Sequence, residues 1–161
     1  MTDLFNVPTT EYIVLVVARL GTAALLGGLI GFEREWSGKA AGLRTHMTVA
    51  LGCATFMLAA IEISSDPGNE SRAIQGIAAG IGFIGAGTIL KRDDESEIKG
   101  LTTAASIWLT AAVGAAAGGG QGWIALIGVS IAFVILTLFS GFERWLSRKR
   151  KAPQDGQTIS S

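Results

Sequence analysis

Five long stretches of this 161-residue chain are almost free of charged residues. They cover residues 12–32, 47–63, 73–90, 101–117 and 123–141, and nearly all the charged residues lie between them. Each stretch has about the length that an α-helix needs to cross a bilayer, roughly 20 residues. A helix on the surface of a soluble protein would show polar residues on its outward face. The pattern therefore predicts an all-α, polytopic membrane bundle of five transmembrane helices.

Two other interpretations of these stretches are disfavoured. A soluble protein of buried helices or parallel strands would need more polar surface than five such stretches leave. A cleaved signal peptide would begin with basic residues, whereas residues 1–11 contain no Lys or Arg and include Asp3 and Glu11. We therefore expect the first stretch to be the first span.

The basic residues predict the orientation of the bundle. Eleven of the 13 Lys and Arg residues lie in two alternate connections and the C-terminal tail, namely Arg34, Lys39, Arg44, Lys91, Arg92, Lys99, Arg144, Arg148, Lys149, Arg150 and Lys151. The opposite side contributes only Arg72. By the positive-inside rule, the N-terminus is predicted outside and the C-terminus in the cytoplasm. We expect a transmembrane domain over residues 1–142 and a basic, then disordered, tail over residues 143–161.

Composition excludes several classes of function. A formal net charge of zero argues against a nucleic-acid partner, which calls for a basic excess. The single Cys53 and single His46 provide no zinc-ligand spacing, and we predict no metal and no cofactor. The weak trio of Glu33, Thr45 and His46 is the best candidate catalytic set, so we predict that the chain is not an enzyme.

Small residues recur every four positions within the predicted spans. The third stretch contains Gly80-x-Gly82-x-x-Gly85. A dinucleotide loop would need a preceding strand and an acidic residue about 20 positions on, but position 105 is Ala. The better interpretation is close helix packing inside lipid, within the chain or in a homodimer. The predicted packing set is Gly27, Gly31, Gly76, Gly80, Gly82, Gly85 and Gly87.

Charge inside the predicted spans is scarce. Arg19 lies about 10 Å below the outer end of the first span, at 1.5 Å per residue. An arginine at such depth needs a partner or must extend its guanidinium to the headgroups. Glu62, near the outer end of the second span, is the nearest acidic candidate by depth. The two interpretations, a buried ion pair and a snorkelling anchor, both remain open.

Polar residues concentrate where the first four spans meet the cytoplasm. The candidate cytoplasmic cluster is Glu33, Arg34, Glu35, Arg44, Thr45, Lys99, Thr102 and Thr103. Thr45 and Thr102 are predicted N-caps of the second and fourth spans. These side chains form a functional surface or are the ordinary anchors and caps of helix ends.

Four motifs follow one another along the chain: LLGGLIGFEREW at 25–36, AGLRTH at 41–46, GIGFIGAGTIL at 80–90 and GLTTAASIW at 100–108. In this order they resemble the MgtC/SapB family of bacterial inner-membrane proteins. The resemblance implies a multi-pass inner-membrane protein associated with magnesium limitation and, in pathogens, with survival in phagocytes. The family's motif residues fall on Glu33, Arg34, Gly42, Leu43, Arg44, Thr45, Gly80, Gly82, Gly85, Gly87, Gly100, Leu101 and Thr103.

The resemblance also supplies two functional hypotheses. Some members act on a membrane partner, the F-type ATP synthase, so we expect a non-enzymatic regulator that docks laterally through its small-residue faces. The alternative is a magnesium or proton channel or transporter with Glu33 and Glu35 as a cation vestibule. We expect a short form that lacks the soluble C-terminal domain of longer members, and a basic tail that contacts membrane lipid.

Overall fold

α-Helices account for most of the computed structural model, which describes residues 9–63, 66–91 and 98–150. The helices are α1 (Thr10–Trp36), α2 (Leu43–Ile63), α3 (Pro67–Ala86), α4 (Leu101–Gly118) and α5 (Gly122–Arg150). Two short antiparallel strands, β1 (Leu90–Lys91) and β2 (Ile98–Lys99), pair between α3 and α4. The prediction of an all-α bundle is therefore confirmed apart from this two-residue pairing.

Three of the described helices, α1, α2 and α4, are long and apolar enough to cross a membrane. In α5 the corresponding apolar segment, Gly122–Leu138, is shorter. The helix itself continues to Arg150, so residues 143–150 of the predicted tail are helical, while residues 151–161 lie outside the described part of the chain.

Helix α3 differs from the predicted third span, residues 73–90, at both ends. It begins at Pro67 because Asp66 caps it, accepting a hydrogen bond of 3.0 Å from the Gly68 amide. Proline is favoured in the first turn, where the missing N–H would have no partner. Its apolar part, residues 73–86, is about 21 Å long at 1.5 Å per residue, which is less than the hydrocarbon thickness.

The predicted N-caps at Thr45 and Thr102 are wrong, because both residues lie inside their helices. Helix α2 begins two residues earlier, and the Leu43 amide donates to Oε2 of Glu35 at 2.8 Å. Gly100 precedes α4 in the left-handed region at φ 96°. A Cβ there would lie 2.0 Å from the Thr88 carbonyl oxygen, so only glycine fits.

Helix α2 packs tightly against both α1 and α4 at Ala50. A Cβ on Gly27 of α1 would lie 2.6 Å from the Ala50 Cβ, and a Cβ on Gly114 of α4 would lie 2.3 Å from the Ala50 carbonyl oxygen. Glycine at these positions lets the backbones approach and gain dispersion contacts. The three helices thus form the centre of the fold.

Two apolar clusters lie on either side of this contact. The first joins α1, α2, α4 and α5 through Ala23, Leu26, Ile30, Ala50, Ala54, Val113, Ala117, Ala125 and Val129. The second lies mainly between α2, α3 and α4 and contains Ala41, Cys53, Met57, Ile81, Ile107, Ala111 and Ala115. Outside both clusters, large apolar side chains such as Phe83 and Trp123 are exposed, as expected of helices that face lipid.

Candidate functional site

The end of α1 holds a buried ion pair. The Glu33 and Arg34 side chains are 6% and 1% exposed, and the Arg34 Nε donates to Oε2 of Glu33. Ser37 donates its hydroxyl to the other carboxylate oxygen of Glu33, Oε1, at 2.8 Å. Because both oxygens of Glu33 are engaged, the carboxylate serves as an internal acceptor and neutralises a charge that would be costly to bury alone.

His46 links α2 to α4 and is completely buried. Its Nδ1 lies 2.9 Å from the Gly42 carbonyl oxygen, and its Nε2 lies 3.3 Å from the Ser106 Oγ. Since a carbonyl oxygen can only accept, Nδ1 carries a proton. The Ser106 hydroxyl also lies 2.8 Å from the Thr103 carbonyl oxygen, so it has two acceptors within reach.

Ser106 and Thr110 were missed by the sequence analysis. Thr103, Ser106 and Thr110 are spaced three and four residues apart, so they form one buried polar stripe on α4. The Thr110 hydroxyl donates to the Ser106 carbonyl oxygen at 2.8 Å. The spacing of these three hydroxyl residues, together with the single histidine at the start of the second span, was the sequence signal for a polar contact between the two helices.

The candidate cytoplasmic cluster divides into two groups in the structure. Glu33, Arg34 and Thr103 are buried inside the bundle. The exposed members are Glu35, Arg44, Thr45, Lys99 and Thr102. The Glu33–Arg34 pair of the first group lies within α1, and the second group lies at the surface.

These side chains are not arranged for catalysis or for metal binding. Thr45 is exposed whereas His46 beside it is buried, so the trio with Glu33 does not converge. Within the described residues there is also no group of three His, Cys, Asp or Glu that could hold a metal ion.

Arg19 and Glu62 each have a partner, but not one another. Nη1 of Arg19 donates to the Gly118 carbonyl oxygen at 3.1 Å. Gly118 is the last residue of α4, where carbonyl groups lack intrahelical donors and the helix dipole is negative. Glu62 instead accepts a hydrogen bond from the Tyr12 hydroxyl. The half-buried Arg19 side chain therefore caps the C-terminal end of α4.

The predicted packing glycines fall into three groups. Gly27 and Gly31 pack closely on α2, and Gly85 is in ordinary contact with α4, since a Cβ on it would lie 3.6 Å from the Ala104 Cβ. At Gly76, Gly80 and Gly82 a Cβ would meet nothing within 4 Å. Gly87 is the C-cap of α3. The close contacts of Gly114 and Gly118 on α2 were not in the predicted set.

Most of the residues described above lie in the part of the chain that is similar to known proteins. The chain matches the model of the MgtC family over residues 20–145. That range contains the buried pair, the histidine link and the glycine contacts described above. No solved structure matches the chain.

Individual relatives are similar over much of the chain. Protein SrpB of Synechococcus elongatus is 45% identical over 137 residues, which are 78% of this chain and 74% of SrpB. YhiD of Escherichia coli, whose name describes it as a proposed magnesium transporter, is 40% identical over 94% of this chain and 73% of its own length. Protein MgtC of Brucella abortus is 45% identical over 73% of this chain but only 48% of its own.

Proposed function

Because the chain belongs to the MgtC family, we propose that it is a non-enzymatic membrane protein that regulates a membrane partner during magnesium limitation or related stress. Its apolar helices and its relatives identify it as a membrane protein. The proposal adds five spans in the bacterial inner membrane, with the N-terminus outside and the C-terminus in the cytoplasm. Support for that orientation comes from the eleven basic residues on one side against one on the other.

The observation that carries the proposal is an unused small-residue face on α3. Ala79, Gly82 and Ala86 share one side of the helix at spacings of three and four, and all three are exposed. Phe83, beside them, is 85% exposed. Gly27, Gly31, Gly114 and Gly118 serve internal helix contacts, whereas this face offers close approach to a helix from another molecule.

Exposed polar residues near the cytoplasmic ends of the helices complete the proposed docking surface. Arg44, Lys99 and Thr102 are exposed there. Glu33 and Arg34, which the sequence suggested as contacts, are buried and paired, and so support the surface from inside. The resemblance to MgtC/SapB proteins makes the F-type ATP synthase the first partner to test.

A photocrosslinking experiment tests the docking face. A photoreactive phenylalanine analogue at Phe83 would capture a neighbour in native membranes, and mass spectrometry of the product would identify it. We expect Gly82→Leu to abolish capture by filling the face. Gly21→Leu on α1 is the matched control, since Gly21 also has nothing within 4 Å. Equal capture in both variants, or capture of lipid alone, would contradict the proposal.

Transport is the second candidate, favoured by the description of YhiD as a proposed magnesium transporter. Glu35 is exposed and could attract cations at the cytoplasmic side, although it already accepts from the Leu43 amide. Liposomes containing the purified chain would show magnesium or proton flux that Glu35→Gln reduces. Vesicles as tight as protein-free ones would eliminate this candidate.

A further inference from the structure

His46 lies where α1, α2 and α4 meet, and its side chain is completely buried. A Cβ on Gly31 of α1 would lie 3.0 Å from the His46 Cβ. On the other side, the Ser106 Oγ of α4 lies 3.3 Å from the His46 Nε2. Histidine is the only side chain whose ordinary titration falls between about pH 5 and 8. A residue that changes charge in this range therefore lies inside the contact between three helices.

The hydrogen bonds around His46 suit both the neutral and the protonated ring. Nδ1 donates to the Gly42 carbonyl oxygen, so a second proton would bind to Nε2. The Ser106 hydroxyl could then accept from Nε2 and donate to the Thr103 carbonyl oxygen, 2.8 Å away. No side chain has to move for these hydrogen bonds to form in either state. The difference between the two states is therefore one of charge.

The charge on a protonated His46 would have no counterion on α1. Glu33 and Arg34 are the charged residues of α1 that interact electrostatically with His46. Both carboxylate oxygens of Glu33 are already engaged, one by Arg34 and the other by Ser37. Because the Glu33 and Arg34 charges cancel, a protonated ring would add one uncompensated positive charge inside the bundle. Burying such a charge is costly.

The other elements around His46 offer no carboxylate either. Helix α4 carries no charged residue, and its contact with the ring is the Ser106 hydroxyl. The described side chains of α5 include no charged one. On α2 itself, Glu62 lies at the opposite end of the helix. The other charged side chains at the His46 end of the bundle are exposed, namely Glu35, Lys39 and Arg44.

We propose that His46 is an acid-sensitive switch, which is neutral while α1, α2 and α4 are packed together and whose protonation separates the start of α4 from α2. The opened state binds the proton near the ordinary histidine value, about pH 6.5, whereas the packed state excludes it. Acid therefore favours the opened state. The switch responds to cytoplasmic pH, an assignment that rests on the orientation proposed above. It does not involve the docking face at Gly82.

Nuclear magnetic resonance of the imidazole ring gives the first test. His46 is the only histidine in the chain, so its ring signals need no assignment in protein purified without a polyhistidine tag. Between about pH 7.5 and 5.5, we expect the neutral-ring signal to lose intensity while a separate charged-ring signal appears, because protonation requires opening. A single signal that moves smoothly with an ordinary midpoint would show that the packed bundle accepts the proton, and would overturn the proposal.

Unfolding by sodium dodecyl sulfate at the two pH values gives the second test. If the opened or unfolded chain binds the proton and the packed chain does not, this acidification should shift the unfolding equilibrium about tenfold. His46→Gln, which cannot be protonated, should lose the shift. Glu70→Gln, which removes an exposed titratable group, is the matched control and should keep it. An equal shift in wild type and His46→Gln contradicts the switch, and the wild-type ring signals decide if His46→Gln does not fold.

Hydrogen exchange locates the opening. Wild type and His46→Gln are compared at the same acid pH, so that the intrinsic dependence of amide exchange on pH cancels. We expect faster exchange in wild type over residues 101–108 of α4, beside the ring, and equal exchange in α3. Equal exchange of residues 101–108 in the two proteins would refute the opening. Failure of the docking proposal would show at Gly82 and leave these measurements unchanged.

Discussion

Substitution of Gly114 by alanine isolates the contact that holds α4 against α2. The added Cβ would lie 2.3 Å from the carbonyl oxygen and 2.7 Å from the Cα of Ala50. Optimal separations between carbon atoms are about 3.5–4.0 Å. Both neighbours are backbone atoms, which cannot rotate away as a side-chain end would. The two helices must therefore move apart by roughly 1 Å to relieve the overlap.

The cost follows from how much of the interface that movement disturbs. A gap of 0.5–1 Å forfeits about a quarter to a half of each dispersion contact, and Gly118 packs equally closely on Ala54, 2.5 Å from a Cβ to its carbonyl oxygen. Overpacking costs about 1–3 kcal/mol and sometimes more, and overlap with the Ala50 backbone places this substitution at the upper end, about 3 kcal/mol. Alanine recovers about 1 kcal/mol of helix propensity relative to glycine. We expect a net destabilisation of about 2 kcal/mol, or roughly 30-fold in the unfolding equilibrium.

Unfolding by sodium dodecyl sulfate in mixed micelles, followed by circular dichroism, measures the difference. Gly52→Ala is the control, because a Cβ on Gly52 of α2 meets nothing within 4 Å. It should be neutral or up to about 1 kcal/mol more stable. If Gly114→Ala were as stable as Gly52→Ala, the close α2–α4 contact would not exist in the folded protein.

The remaining predictions concern the buried polar contacts, and the same unfolding assay checks each. Glu33→Ala should cost about 3–5 kcal/mol because it leaves the Arg34 charge buried without its carboxylate, and adding Arg34→Met should restore most of that stability. No recovery in the double variant would mean that packing, not charge, explains the loss. Ser106→Ala should cost about 1–3 kcal/mol by removing the partner of the His46 Nε2. Arg19→Leu should cost about 1–2 kcal/mol through loss of the Gly118 carbonyl contact, and Arg19→Lys should cost less. If Arg19→Leu were as stable as wild type, Arg19 would be only a snorkelling anchor.

Hydropathy predicted the helices well where charge and glycine bracket an apolar stretch. The fourth stretch, residues 101–117, matches α4 (Leu101–Gly118) almost residue for residue. The third stretch failed at both ends because helix boundaries depend on backbone hydrogen bonding. Asp66 caps the α3 amides and Pro67 fits the first turn, although both lie in a polar segment that hydropathy assigns to a loop.

Site residues were predicted by type, but not by their contacts. Glu33 and Arg34 are adjacent, and neighbouring positions on a helix do not normally face one another, so their pairing was not expected. Burial explains the pairing, because each charge is compensated by the other inside the bundle. Ser106 and Thr110 were overlooked because isolated hydroxyls in an apolar stretch commonly bond to helix carbonyls, as Thr110 does here, whereas Ser106 also has the His46 Nε2 within reach.

The motifs that carry the family resemblance are largely those that the bundle buries. Gly31 packs on the α2 backbone, with a Cβ position 2.8 Å from the Leu43 Cα, and Glu33, Arg34 and His46 are internal. These motifs therefore specify how the first, second and fourth helices fit together. A regulator of the kind proposed acts through what it presents to other molecules, so its contacts with a partner must lie on exposed faces. On this chain such a face is the one around Gly82, an exposed residue of the third motif, which is why its substitution, rather than that of a buried motif residue, separates function from folding.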